Sequence, residues 1–120
     1  NFDELVAAIN YHHPASQGTW IAPTLINGWQ DYGADYNATE YFRDSNGIVH
    51  LRGLVKNGTL GLTVFTLPVG YRPVARELHV CNSAGAFGRV DVFANGDVII
   101  QTGGPGWVAL DGITFMAVDF

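Results

Sequence analysis

The sequence is poor in charge, in basic residues, in cysteine and in methionine. Only 14% of its 120 residues are charged, and six Lys and Arg stand against eleven Asp and Glu, for a net charge of −5. So few basic residues leave no positive stripe to neutralise phosphates, which argues against nucleic-acid binding. The single cysteine, Cys81, excludes an internal disulfide and a zinc site built from thiolates. No apolar run approaches the roughly 20 residues that span a bilayer, so we expect no membrane insertion.

The shortage of methionine bears on where the chain begins. Met116 is the only methionine, so we expect Asn1 not to be a natural start and the chain to come from a longer protein. The length fits one domain. Only 14% of the residues are charged and 48% are hydrophobic, so the sequence is not that of a disordered chain.

The first 18 residues differ in pattern from the rest. Their apolar residues share one face at helical spacing: Phe2, Leu5, Val6 and Ile9. A helix of about ten residues does not stand alone in water, so it must pack, either as the end of a coiled-coil shaft or as a helix that closes one end of a β core. Pro14 and Gly18 prevent further helix. We therefore expect a short helix and linker over residues 1–18.

Residues 19–120 consist of short β-rich runs separated by turns. Asn46-Gly47, Asn95-Gly96 and Asp111-Gly112 predict hairpin turns, because such pairs tolerate positive φ. The predicted strands are Thr19–Ile26, Thr39–Asp44, Ile48–Val55, Leu62–Leu67, Glu77–Cys81, Arg89–Phe93, Val98–Thr102, Trp107–Leu110 and Ile113–Val118. Residues Ala84–Gly88 are predicted to form a loop. The predicted core includes Phe65, Phe87, Phe93 and Phe115. With 15 glycines, this pattern predicts an all-β domain, an antiparallel sandwich or barrel without helix after residue 18.

No catalytic or metal-binding motif emerges. The serines lack the flanking glycines of a nucleophile elbow, and Cys81 lies mid-strand, where an inert thiol is usual. Most carboxylates lie in turns, although a pair meeting across a cleft would make a glycan-degrading site. His12 and His13 point to opposite sides of an extended segment, so they cannot both bind one metal ion. A metal site would require the same histidine from several subunits to meet at the symmetry axis of an oligomer. We expect no enzyme, no cofactor and no resident metal.

Tryptophan and tyrosine cluster with glycine, acidic and amide residues in segments 28–37 and 104–107. Sugar rings stack on aromatic faces, and their hydroxyls bond to carboxylates and amides. The residues predicted to bind a saccharide are Trp29, Asp31, Tyr32, Asp35, Tyr36 and Trp107. Arg72, Arg76 and Arg89 are predicted to make polar or anion contacts. The alternative is a purely structural role, in which Trp29 and Trp107 close the two ends of a β core. The binding and the structural interpretations both stay open.

Several blocks are similar to a known family. Gly28–Tyr32, Tyr41–Asp44, Gly47–Lys56 and, most specifically, Phe65-Thr-Leu-Pro-Val-Gly-Tyr-Arg-Pro73 resemble the C-terminal head domains of tailed-phage receptor-binding and tail-fibre proteins. The resemblance covers residues 28–118. It implies a homotrimeric β head at the virion tail tip or baseplate, carried on a shaft and attached to the rest of a tail protein. It also implies adhesion to a host cell-wall or surface polysaccharide, and no site residue follows from a motif.

The charge narrows the expected ligand. A trimer of −5 subunits repels anionic polymers unless cations bridge them, so neutral sugars, or phosphodiester sugars engaged by the three arginines, are favoured. Weak single sites would be offset by avidity. Two other interpretations stay open: a trimerising cap without its own ligand site, and a generic carbohydrate-binding module.

Overall fold

The computed structural model describes residues 19–104 and 106–118. The predicted helix and linker and the His12-His13 pair lie outside these residues. The regular structure within them is ten strands: β1 (Gln30–Asp31), β2 (Glu40–Arg43), β3 (Ile48–Arg52), β4 (Leu54–Lys56), β5 (Thr63–Thr66), β6 (Glu77–Ser83), β7 (Ala86–Val92), β8 (Asp97–Thr102), β9 (Val108–Ala109) and β10 (Thr114–Met116). A helix long and apolar enough to cross a membrane is absent from this part of the chain.

The strands form two antiparallel sheets. The larger sheet has the order β1-β4-β9-β6-β7-β8-β5 and is curled into a half-barrel, and the smaller has the order β10-β3-β2. This architecture confirms the predicted antiparallel all-β class. The hairpins predicted at Asn46-Gly47 and Asn95-Gly96 are also confirmed, as β2–β3 and β7–β8.

One core lies between the sheets. Leu51 of the smaller sheet and Val55, Phe65 and Ile100 of the larger sheet are fully or almost fully buried in it. The ring of Tyr41 lies nearly parallel to that of Phe65, with 6.4 Å between centroids, and burial raises the pKa of the Tyr41 phenol. The inner face of each sheet is therefore committed to packing.

The predicted strand Ile48–Val55 is in fact two strands in different sheets. The break is Gly53, whose φ is +132° and where an added Cβ would lie 2.5 Å from the Thr39 Cα. The N–H of Gly53 donates to Asp111 Oδ1 at 2.8 Å. Because only glycine fits this close approach to Thr39, the chain can leave one sheet and enter the other at this point.

Two further strand predictions are wrong. The run Thr19–Ile26 contributes only a bridge between Ile21 and Tyr41. Asp111-Gly112 is a turn but not a hairpin turn, because β9 pairs with β4 and β6 whereas β10 pairs with β3. In both cases the local pattern is compatible with a strand or turn, and distant segments decide the pairing.

The predicted loop Ala84–Gly88 is mostly strand. Ala84 and Gly85 form a two-residue turn with φ of +51° and +85°, so β7 begins at Ala86 and Phe87 pairs with Asn82. Phe87 is consequently on the outer face and is 88% exposed, which makes its predicted place in the core wrong. The core prediction is confirmed for Phe65 and Phe115.

Candidate functional site

Aromatic side chains from both predicted segments meet on the outer face of the larger sheet. Tyr32 and Tyr36 from the first segment and Trp107 from the second line one groove of about 270 Å³. Its other lining residues lie on or beside β4, β9 and β6 and are Leu54, Asn82, Ala109 and Asp111. Segments some 70 residues apart in the chain thus build one surface.

The tyrosines are held by backbone and side-chain bonds of the 31–39 loop. The N–H of Tyr32 donates to Leu54 O at 2.8 Å, which extends the pairing of β1 with β4. The rings of Tyr32 and Tyr36 meet edge to face with centroids 5.4 Å apart. Asp31 closes the base of the loop, since its Oδ1 accepts from the Thr39 N–H at 2.9 Å and from the Thr39 hydroxyl at 2.6 Å. Asp31 therefore has a positioning role.

Trp107 is positioned through the buried hydroxyl of Ser83. This hydroxyl accepts from the Gly104 N–H at 2.7 Å and lies 3.3 Å from Trp107 O. An added Cβ at Gly103 would lie 2.6 Å from the same oxygen, so glycine is required for the close approach. The loop before β9 is thereby fixed against the end of β6, and the Trp107 side chain remains half-buried.

The groove continues past Asn82 and Asp111 into a wider hollow of about 620 Å³ that Val80 and Phe87 also line. We call this combined surface, defined by Tyr32, Tyr36, Asn82, Phe87, Trp107 and Asp111, the aromatic groove. Asn82 Oδ1 accepts from the Gly85 N–H and Asp111 Oδ1 from the Gly53 N–H. Within the described residues, Asn82 Nδ2 and Asp111 Oδ2 have no hydrogen-bond partner, so one donor and one acceptor lie among apolar rings.

Trp29 is placed differently from the other selected aromatics. It is only 6% exposed, and its ring packs on Gly58 so tightly that an added Cβ at Gly58 would overlap the indole. It lines a separate hollow of about 400 Å³, with Trp107 on the wall between that hollow and the aromatic groove. Asp35 is exposed in the turn at 33–36 and does not line the groove.

The three arginines predicted as anion contacts have two kinds of hydrogen-bond acceptor, a backbone carbonyl and a carboxylate. Arg72 donates from Nε to Leu67 O at 2.7 Å, so it braces the loop after β5. Arg76 and Arg89 both bond to Asp91 on the outer face of β7. Bonds from Arg89 and Arg76 lower the pKa of Asp91.

The titratable side chains bear on which chemistry the described residues could perform. In the part of the chain described, no group of three or more His, Cys, Asp or Glu could hold a metal ion. The pKa of Asp91 is lowered, and so is that of Asp44, where hydrogen bonds from His50, Ile48 and Asn46 outweigh the opposing effect of burial. A general acid requires a shift in the other direction.

Phe87, Asn82 and Asp111 are members of the groove that the sequence analysis did not select. A signal for Phe87 exists. Phe87, Arg89 and Asp91 alternate with Gly88, Val90 and Val92, so a strand that starts before residue 87 places the phenylalanine on the charged, outer face. The predicted strand began only at Arg89, so Phe87 fell in the predicted loop 84–88 and outside this alternation.

The fold and the groove together define an antiparallel β domain with an exposed aromatic groove. Among solved structures, a similar fold occurs in gp15, the receptor-binding protein of the Listeria phage PSA, with a TM-score of 0.77. The two share 20% sequence identity, and the match covers 98% of this chain and 76% of that chain. No protein-family model matches this chain, and a search of curated proteins also finds no match. At this identity the likeness concerns the fold alone.

Proposed function

We propose that this domain is the adhesion head of a tailed-phage receptor-binding protein and that its aromatic groove binds a saccharide of the host surface. The head would assemble as a homotrimer at the tail tip or baseplate, joined to the rest of the tail protein. The fold shared with a phage receptor-binding protein supports the class of protein. The proposal that the ligand is a saccharide rests on the aromatic groove.

Four aromatic rings in the groove are accessible to different degrees, and Phe87 is 88% exposed. Exposing such rings to water is unfavourable unless a partner covers them, and the apolar face of a sugar ring is a suitable cover. Asn82 Nδ2 and Asp111 Oδ2 offer a donor and an acceptor for sugar hydroxyls beside these rings. An open groove of this kind favours weak single-site binding, about micromolar to millimolar, which several copies per virion would strengthen.

The test is binding of a fluorescent fusion of the chain to purified bacterial cell walls, with Listeria walls as the first sample. Trp107→Ala and Phe87→Ala should each weaken binding by about 10-fold or more, as expected for a central aromatic contact. Trp20→Ala is the matched control, because Trp20 packs on Phe42 and Arg52 of the smaller sheet. Undiminished binding by both groove variants would show that the saccharide site lies elsewhere.

A second function is favoured by one observation on the same face. Leu78, Val80 and Phe87 are 59%, 75% and 88% exposed along β6 and β7, and a strip of this kind also suits a contact between copies of the chain. The domain would then be a trimerising cap. Sedimentation analysis of Phe87→Ser separates the two: dissociation favours the cap, whereas an unchanged mass with lost wall binding favours the groove.

A further inference from the structure

Asp91 is a buried carboxylate enclosed by two arginines. It is 0% exposed, and Arg89 donates to it from Nε at 2.8 Å and from Nη2 at 2.8 Å. Arg76 donates from Nε at 3.0 Å and from Nη2 at 2.6 Å. Four charge-assisted bonds from two planar guanidinium groups therefore fix both arginines in place.

The cluster carries a surplus positive charge. Hydrogen bonds from Arg89 and Arg76 lower the pKa of Asp91, and the bond to Asp91 raises the pKa of Arg89. A guanidinium group keeps its proton in proteins, so the cluster holds two cations and one anion. Two cations on one anion leave a net charge of about +1 in a chain whose net charge is −5. One arginine is enough to neutralise the carboxylate, so the second arginine adds an unbalanced positive charge.

The surplus charge is accessible and already oriented. The side chains of Arg76 and Arg89 are 46% and 43% exposed, and among the described residues the Nη1 of each has no acceptor. The guanidinium of Arg76 also lies 4.4 Å above the ring of Phe93, which restricts its motion further. An incoming anion would thus meet donors whose side-chain entropy is already reduced.

The cluster lies on the same face as the aromatic groove. Arg89 pairs across the hairpin with Val80, and Asp91 pairs with Leu78. Arg89 follows Phe87 by two residues along β7, which corresponds to about 7 Å on an extended strand, and Asp91 lies about 14 Å away. A ligand that leaves the groove over Val80 would reach the arginines within about one or two sugar units.

We propose that Arg76 and Arg89 bind one anionic group, a phosphate or a carboxylate, carried by the ligand of the aromatic groove. The inference rests on the proposed function for the identity of the ligand, but the anion site itself does not depend on saccharide binding. It narrows the ligand to a glycan with a negative group near its stacked ring. Chloride and other salts would compete for the site, so binding should weaken as ionic strength rises.

The experiment is NMR detection of the arginine Nε–Hε resonances in the full chain during titration with glycerol 3-phosphate, glucuronate and glucose. Glycerol 3-phosphate, glucuronate or both should shift the Arg76 and Arg89 signals in a saturable manner, and glucose should not. A response to only one anion identifies the group as phosphate or carboxylate. Arg52 is the internal control, because it is 34% exposed and, among the residues that the structure describes, its charge is balanced by that of Glu40 at 2.6 Å.

Two variants complete the test. Arg89→Gln should weaken anion binding at least about fivefold while Arg52→Gln leaves it unchanged, with folding checked by the remaining resonances. Shifts of Arg52 equal to those of Arg76 and Arg89, or no shift with either anion, would overturn the proposal. Anion binding that persists while groove variants and wild type alike fail to bind cell walls would refute the proposed function but leave the anion site standing.

Discussion

The two faces of the β6–β7 hairpin have similar side chains and opposite surroundings. On the inner face Val90 and Val92 are fully buried and Cys81 nearly so, whereas on the outer face Val80 and Phe87 are 75% and 88% exposed. The outer face nevertheless contains the fully buried Asp91. Hydrophobicity alone thus does not separate the core of this domain from its exposed outer face. What separates them is which face the second sheet covers.

The largest expected effect comes from placing the same charge on each face. Val90→Asp buries an unpaired carboxylate in the core and should lower the free energy of unfolding by more than about 4 kcal/mol, enough to unfold a marginal domain. Val80→Asp, on the neighbouring strand, should change it by less than about 0.5 kcal/mol. Urea unfolding followed by tryptophan fluorescence measures both. Equal destabilisation by the two variants would show that the outer face is also packed.

A smaller effect is expected for Asp91, a buried charge on the outer face. Asp91→Asn removes the anion that two arginines share and should destabilise the domain by about 2–4 kcal/mol at pH ~7. Because the folded-state pKa of Asp91 is lowered, its ionised form contributes stability above the unfolded pKa of about 4, and that contribution is lost as pH falls further. The difference between wild type and variant should therefore shrink below pH ~4 in parallel urea titrations. A difference independent of pH would mean that the ion pairs do not stabilise the fold.

The smallest effect on stability is expected from moving a thiol between adjacent positions. Cys81 is buried, and burial raises the pKa of its thiol, so it should react with iodoacetamide at least ~100-fold more slowly than the thiol of a Cys81→Ala/Val80→Cys variant. The double variant should lose no more than about 1 kcal/mol. Both proteins should react at one rate in concentrated urea, and a fast reaction of native Cys81 would contradict the assignment of the inner face.

The local chemistry of the turns made part of this fold predictable. Asn46-Gly47 and Asn95-Gly96 favour positive φ at their own positions, so the hairpins they close follow from a few neighbouring residues. The selection of Tyr32, Tyr36 and Trp107 likewise used composition within short segments, and the structure brings these three side chains together. It places Trp29 instead in a buried packing position on Gly58. In sequence the two tryptophans are equivalent, since each follows a glycine.

The rest required contacts between distant segments. Gly53 divides one predicted strand because Thr39 lies against it, and Asp111-Gly112 joins strands of different sheets. Phe87 reached the outer face because β7 begins three residues earlier than the sequence indicated and pairs with β6 in that register. A register shift of one residue would exchange the two faces.

The amino-acid sequence on its own therefore determined an acidic, disulfide-free, antiparallel β domain with aromatic segments beside glycine and acidic residues. These properties arise from backbone preferences and composition, which are local. The tertiary structure alone decided that Tyr36, Trp107 and Phe87 share one groove and that Arg76 and Arg89 share Asp91. The pairing of strands and the covering of one face by a second sheet are long-range choices, because they depend on the simultaneous burial of residues far apart in the chain.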